Sequence, residues 1–408
     1  MFGTSARAAF RLPTVLLALL SAAVSAPLAA AASLDSVLSE QANLTTFRSL
    51  VKDRSDIFGN LPDQVTIIAP SDGAFAKLQG WNAKNTSVVT PLLQYHILSG
   101  EVALSLIPLG KWVFAHTLLD DPSQANVTGG QNVIITHQPG NVVVFTSGLA
   151  SRATVLQGDI AFDGGLIQVI DSVMVVPASL EVTARDAYTD LASFLGALYA
   201  ADLVDEFTAA SNITLIIPRN AAFQQLAGTF AAMSKDQLSR VLRYHMLPGQ
   251  VVQSEQMTAN STFSTSISGE RIHVRRFNND IFVNSAKIIQ TDILVANGVV
   301  QMIDNVLSPD DDNVQPNFTA SDQAPVFTPV GSTQTGSAAA TPFISELPCT
   351  VSCTVSTSGG GAAAKTTSVR SSSSTDGAAA ARCTAIAGAG LGLGVAVGVM
   401  GMEWMGAM

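Results

Sequence analysis

Thr66-Ile67-Ile68-Ala69-Pro70-Ser71-Asp72-Gly73-Ala74-Phe75 returns 148 positions later, Pro70 to Pro218, as Thr214-Leu215-Ile216-Ile217-Pro218-Arg219-Asn220-Ala221-Ala222-Phe223. A second pair follows in the same order: Tyr95-His96-Ile97-Leu98-Ser99-Gly100 and Tyr244-His245-Met246-Leu247-Pro248-Gly249. Two matched segments in register mean a duplicated domain. In each copy a β-rich run stops at proline. Ser71-Asp72, or Asn220, then offers side-chain oxygens to cap a new helix carrying Phe75 or Phe223.

Helical spacing precedes the repeated stretch, in Leu34, Val37, Leu38, Leu44 and Phe47 and again in Leu191, Phe194, Leu195 and Leu198. A further helix leads into each Tyr-His pair. Strands follow, with short apolar runs at 142–145 and 281–283. Ile293-Leu294-Val295-Ala296-Asn297-Gly298-Val299-Val300-Gln301-Met302-Ile303-Asp304 reads as a hairpin with a type I′ turn at Asn-Gly. Residues 160–171 are its counterpart. Helices first and an antiparallel sheet later make the class α+β.

The copies span residues 33–178 and 180–309, closed by Pro177 and Pro309. Gly100 and Asp159 are 59 positions apart, Gly249 and Asp292 only 43, so the first copy carries an insertion of 16, placed within residues 106–130. From residue 310 to 377 Ser, Thr, Ala, Gly and Pro dominate, which predicts a disordered stalk.

The ends read as address labels. Arg7 and Arg11, an apolar run at 15–20 and small residues at 26–32 form a signal-peptide layout over residues 1–32, an uncleaved anchor being the alternative. Small residues near Ser374, then a Gly/Ala/Val/Leu tail over 378–408, follow the order of a signal for a glycosylphosphatidylinositol (GPI) anchor attached at Ser374. A retained transmembrane helix with Gly390, Gly394 and Gly398 on one stripe is the alternative. Asn43, Asn85, Asn126, Asn212, Asn260 and Asn317 each begin an Asn-x-Ser/Thr acceptor sequence. The net charge of −10 argues against nucleic acid as a partner. Cys349, Cys353 and Cys383 all lie outside the repeated region, so both domains are expected to fold without disulfides, while Cys349 and Cys353 could pair in the stalk.

Together, T-I-I-A-P-S-D-G-A-F, the Tyr-His pair and D-I-L-V-A-N-G-V-V-Q-M-I-D-N-V-L-S-P resemble the fasciclin (FAS1) domain. The resemblance covers about 270 of the 408 residues and departs at Arg219 and at Asp163-Gly164-Gly165. It implies a sandwich-like β fold with helices packed around it in each copy, and an extracellular, often GPI-anchored adhesion protein. It also implies two partner-contact candidates: Asp292-Ile293, with counterpart Asp159-Ile160, and Tyr244-His245, with counterpart Tyr95-His96. The residues themselves support plainer roles. A helix histidine beside tyrosine can tie helix to sheet through a buried hydrogen bond, and Asp-Ile can mark the start of a strand, with Ile in the core.

The five histidines form no recognised catalytic motif, and Asp120-Asp121 and Asp310-Asp311-Asp312 lack the ligand spacing of a calcium loop. No cofactor, metal or catalysis is expected. The expected partners are cell-surface or matrix proteins or glycans, with the membrane reached through the lipid anchor. The alternative is an extracellular module for a small apolar ligand or polysaccharide.

Overall fold

A computed structural model describes residues 32–78, 80–311, 314–330 and 341–348. Residues 1–31 of the expected signal peptide, Ser374, the C-terminal tail and all three cysteines fall outside the described residues.

Each copy forms one seven-stranded sheet. In the first domain the strands are β1 (Val65–Pro70), β2 (Ile97–Leu98), β3 (Trp112–His116), β4 (Asn132–Gln138), β5 (Val142–Thr146), β6 (Arg152–Phe162) and β7 (Gly165–Ile170). In the second they are β8 (Ile213–Pro218), β9 (Met246–Leu247), β10 (Thr262–Ser264), β11 (Arg271–Phe277), β12 (Asp280–Val283), β13 (Ala286–Val295) and β14 (Gly298–Ile303). The spatial orders match: β2-β1-β7-β6-β5-β4-β3 and β9-β8-β14-β13-β12-β11-β10. All pairings are antiparallel except β1 with β7 and β8 with β14. Leu98 bridges to Thr117 just beyond β3, so the first sheet curls until its two ends meet.

The repeated stretch is buried on both faces because it lies between two cores. Val65, Ile67 and Ala69 face helices 34–40, 45–53 and 86–95, whereas Ile68 faces the inside of the curl with Tyr95, Val133 and Phe145. The second domain divides in the same way, Leu215 and Ile217 to the helices and Ile216 inward. A strand buried on both sides reads as continuous apolar sequence, as these do.

Two local expectations change. Ser71 caps the helix at 72–76 as expected, accepting from the Ala74 amide. Asp72 instead reaches back to the amides of Thr45 and Thr46 at the start of helix 45–53. Asn220 does the same for Ser193 at 2.8 Å. The hairpin also differs from a type I′ turn at Asn-Gly. Val295 pairs with Gly298, leaving Ala296 and Asn297 as the turn, and neither has a positive φ. The Asn297 side chain is buried and donates to the carbonyls of Phe207 and Ala210, both at 2.8 Å. Gly298 and Gly165 serve close approach, since a Cβ on either would lie 1.8 Å from the carbonyl oxygen of Ile213 or Val65.

The composition from residue 310 predicts a disordered stalk, but the described part of it returns to the second domain. Phe318 stacks on Phe277 at 5.0 Å and meets Phe282 edge-on at 5.3 Å. Phe327, Phe343 and Leu347 pack on the helical core, and Gln323 donates its amide to Asp304. Isolated aromatics among Ser, Thr and Pro have no period, so pattern reading misses them although each fills a place on the domain surface. The inserted segment is also distributed. The loop after β3 runs from Thr117 to Gln131, whereas its counterpart runs only from Thr265 to Glu270, and a further part lies between β5 and β7.

Candidate functional site

The repeated Tyr-His pairs sit at the end of helices 86–95 and 235–244, where the helix layer meets the sheet. The Nδ1–H of His96 donates to the Leu92 carbonyl at 2.7 Å, and Nε2 accepts from the Met174 amide at 3.0 Å. His245 repeats this with Val241 and Leu307 at 2.8 and 3.0 Å. Each ring therefore joins its helix to the chain leaving the last strand. Burial lowers both histidines to about 4, so they are neutral in the fold near pH 7. Tyr95 donates to the Asn132 carbonyl and Tyr244 to the Arg271 carbonyl, tying the same helix ends to β4 and β11.

Asp292 and Asp159 occupy left-handed backbone, with φ of 60° and 56°, at a bulge in β13 and β6. Asp292 accepts from the Ser254 amide and hydroxyl and from Gln301 Nε2. Asp159 accepts from the amides of Leu104 and Ser105 and from Gln168 Nε2. Burial pushes the Asp159 carboxyl up, but the hydrogen bonds from Gln168 and Ser105 outweigh it and hold the group below its ordinary value. Ile293 is in the helical core of the second domain, and Ile160 packs at the edge of the helical core of the first. Asp292, Ile293, Tyr244 and His245 are thus buried and already partnered inside the domain.

Gln168 and Gln301 complete this network, and neither stands out when the sequence is read for motifs. Each is fully buried, accepts from the amide of its aspartate and donates to a carbonyl, Val102 or Val252, at 3.1 Å. A signal does exist: one glutamine recurs at the same place in two otherwise apolar strands.

What the molecule does present is an apolar surface on the first domain. Trp112 on β3 stands opposite Thr136, which stands opposite Val144, which stands opposite Thr154. Trp112, Val142 and Leu156 are exposed, whereas Val144 in this row is buried. A cleft of about 440 Å³ opens among Leu104, Ser105, His137, Asn141, Val143 and Leu156, with His137 and Val143 at positions that alternate with those of the Trp112 row. His137 Nδ1–H donates to the Ile107 carbonyl at 2.7 Å and pins the loop that carries Leu106 and Leu109, which are 80% and 62% exposed.

The second domain closes the equivalent place. Arg276 occupies the register position of His137 and reaches across to the carbonyls of Met257 and Ser254 at 2.7 and 2.6 Å. Phe318 packs on Phe277 and Phe282 on the outer face, where Phe277 and Phe318 themselves stay exposed. Among the described residues no three His, Cys, Asp or Glu side chains come together as a metal site, and no helix is long and apolar enough to cross a membrane.

Of the six acceptor asparagines, Asn43, Asn85, Asn260 and Asn317 are exposed. Asn126 and Asn212 lie half-buried against each other where the two domains meet.

The fasciclin domain family model matches residues 42–177 and 189–309. The fasciclin-like arabinogalactan protein elcF of Phaeosphaeria nodorum is 32% identical over 290 residues, covering 69% of this chain and 90% of that protein. A fasciclin-like arabinogalactan protein of Arthroderma benhamiae is 27% identical over 302 residues, covering 72% and 69%. The solved FAS1 domain pair from the insect cell adhesion molecule Fasciclin I aligns over 67% of this chain and 99% of its own, with 17% identity and a TM-score of 0.33.

Proposed function

The chain belongs to the fasciclin domain family, and on that premise we propose that it is a non-catalytic interaction protein of the cell surface or cell wall. Its first domain contacts surface or matrix proteins or glycans. The observation that carries this reading is the asymmetry between the two domains. A cleft beside His137 and the exposed Leu156 is open in the first, whereas in the second Arg276, at the register position of His137, spans to the Met257 and Ser254 carbonyls. Exposed apolar residues gathered on one face mark interaction surfaces. The names of the two fungal relatives, fasciclin-like arabinogalactan proteins, support a wall or matrix setting.

In this reading residues 1–32 direct secretion, the exposed acceptor asparagines carry glycans, and a GPI anchor at Ser374 holds the chain on the outer membrane face. Many copies on one surface strengthen individually weak contacts. Cells displaying the chain are expected to attach to wall or matrix material, and a GPI-specific phospholipase is expected to release the chain and the attachment together. Retention of the chain after treatment would contradict the anchor. Attachment equal to that of cells lacking the chain would contradict the interaction role.

The cleft of about 440 Å³ supports a second reading, a module for a small apolar ligand or a polysaccharide segment. A soluble ligand that binds the chain without competing for attachment would favour it.

A further inference from the structure

The two half-buried acceptor sequences, Asn126-Val127-Thr128 and Asn212-Ile213-Thr214, belong to different domains and grip each other. The Asn126 carbonyl accepts from the Asn212 amide at 3.0 Å, and the Asn126 amide donates to the Ala296 carbonyl at 2.8 Å. Asn126 Nδ2 donates to the Ala209 carbonyl at 3.2 Å. Asn212 holds Thr128 with both ends of its side-chain amide. Oδ1 accepts from the Thr128 amide at 2.7 Å, and Nδ2 donates to Thr128 Oγ1 at 2.8 Å. Buried Gln131 completes the seam by donating to the carbonyls of Val295 and Ala296. All of the first domain's contributions here come from the enlarged loop after β3.

We propose that this seam and an N-linked sugar on Asn212 exclude each other, so that glycan occupancy decides whether the two domains dock. The inference rests on the secreted reading above. In the modification, Nδ2 forms a bond to the anomeric carbon of a lipid-diphosphate-linked oligosaccharide. The bond from that carbon to the carrier phosphate oxygen breaks, the carrier diphosphate leaves, and Nδ2 loses one proton. The product is a planar secondary amide, whose trans form places the new substituent on the same side as Oδ1. An amide that engages one residue through both Oδ1 and Nδ2 uses the Nδ2 hydrogen on that same side. The sugar would therefore stand where Thr128 Oγ1 stands. Asn43, Asn85, Asn260 and Asn317 face solvent and involve no such choice.

The test uses the full chain secreted from a eukaryotic host, separated into species with and without sugar at Asn212, alongside the chain made in bacteria. Backbone hydrogen exchange at Thr128 and Asn212 is read in each. The bare species are expected to protect both amides, and the sugar-bearing species to exchange them at least roughly tenfold faster while Ile216 in the core stays protected. Protection in the sugar-bearing species, or free exchange in the bare chain, would overturn the proposal. If Asn212 is found bare throughout, Thr128→Ala removes the competing hydroxyl and is expected to raise Asn212 occupancy to a measurable level; occupancy still at zero would overturn it. The four exposed sites separate the secreted reading from the exclusion. Sugar on none of them contradicts the secreted reading, whereas sugar on them makes the Asn212 result a test of exclusion alone.

Discussion

His96 and His245 are neutral in the fold at about 4 and titrate near the ordinary value of 6.5 when the chain is unfolded. Between those values the unfolded chain binds more protons than the native one, so stability falls as pH drops from 6.5 towards 4 and is unaffected by these groups above 6.5. Each histidine is expected to cost about 2 kcal/mol between pH 7 and pH 5. Asp72 and Asp159 are held below their ordinary values, so their contributions are lost only at lower pH. Denaturant unfolding at pH 7, 6 and 5 checks this, and a flat stability across that interval would contradict the suture assigned to the rings. Gln301→Leu leaves the Asp292 amide, its Oδ1 and the Val252 carbonyl short of partners, and is expected to cost roughly 2–4 kcal/mol by thermal or denaturant unfolding. At this scale the sequence marks the right residues for reasons that differ from their roles. The Tyr-His pairs are legible as helix-to-sheet ties, because a repeated polar pair at a helix end needs buried partners. The Asp-Ile pairs are not legible as bulge fasteners, because what they fasten, Leu104-Ser105 or Ser254, lies far away in sequence.

The helices, the repeated strand and the last hairpin follow from period and turn residues, whereas the parallel pairing of that strand with the hairpin does not. The hairpin's turn does not, since Asn297 is held by Phe207 and Ala210 and Gly298 is set by the approach of Ile213. The segment 341–348 depends on a contact that composition hides. A Cβ on Gly196, in helix 192–200, would lie 2.1 Å from the Phe343 carbonyl oxygen, while the Phe343 ring packs on Phe223 and Phe230. Gly196→Ala is therefore expected to lift this segment from the domain at a cost of about 1–3 kcal/mol. Limited proteolysis should then cut near residue 343 much faster than in the unmodified chain. Equal cutting rates would show that the segment is not held there.

At the scale of the whole molecule the duplication produces two like scaffolds with unlike surfaces. The first domain's extra loop docks the second, and its cleft beside His137 and Leu156 stays open; the second domain spans the equivalent place with Arg276. The duplication is plain in the sequence, but this division of labour is not. It depends on which side chains reach across from neighbouring elements, as Arg276 does to Met257 and Ser254. The measurement that bears most directly on the proposed role is attachment of cells displaying the full chain, compared with cells displaying Leu106→Asp/Leu156→Asp. Both leucines are exposed, so the variant should fold with stability changed by no more than about 0.5 kcal/mol per site. The account predicts that attachment to wall or matrix material falls at least roughly tenfold while surface display is unchanged, as expected for removing about 1.4 kcal/mol or more of binding. Attachment undiminished in the folded, displayed variant would contradict it.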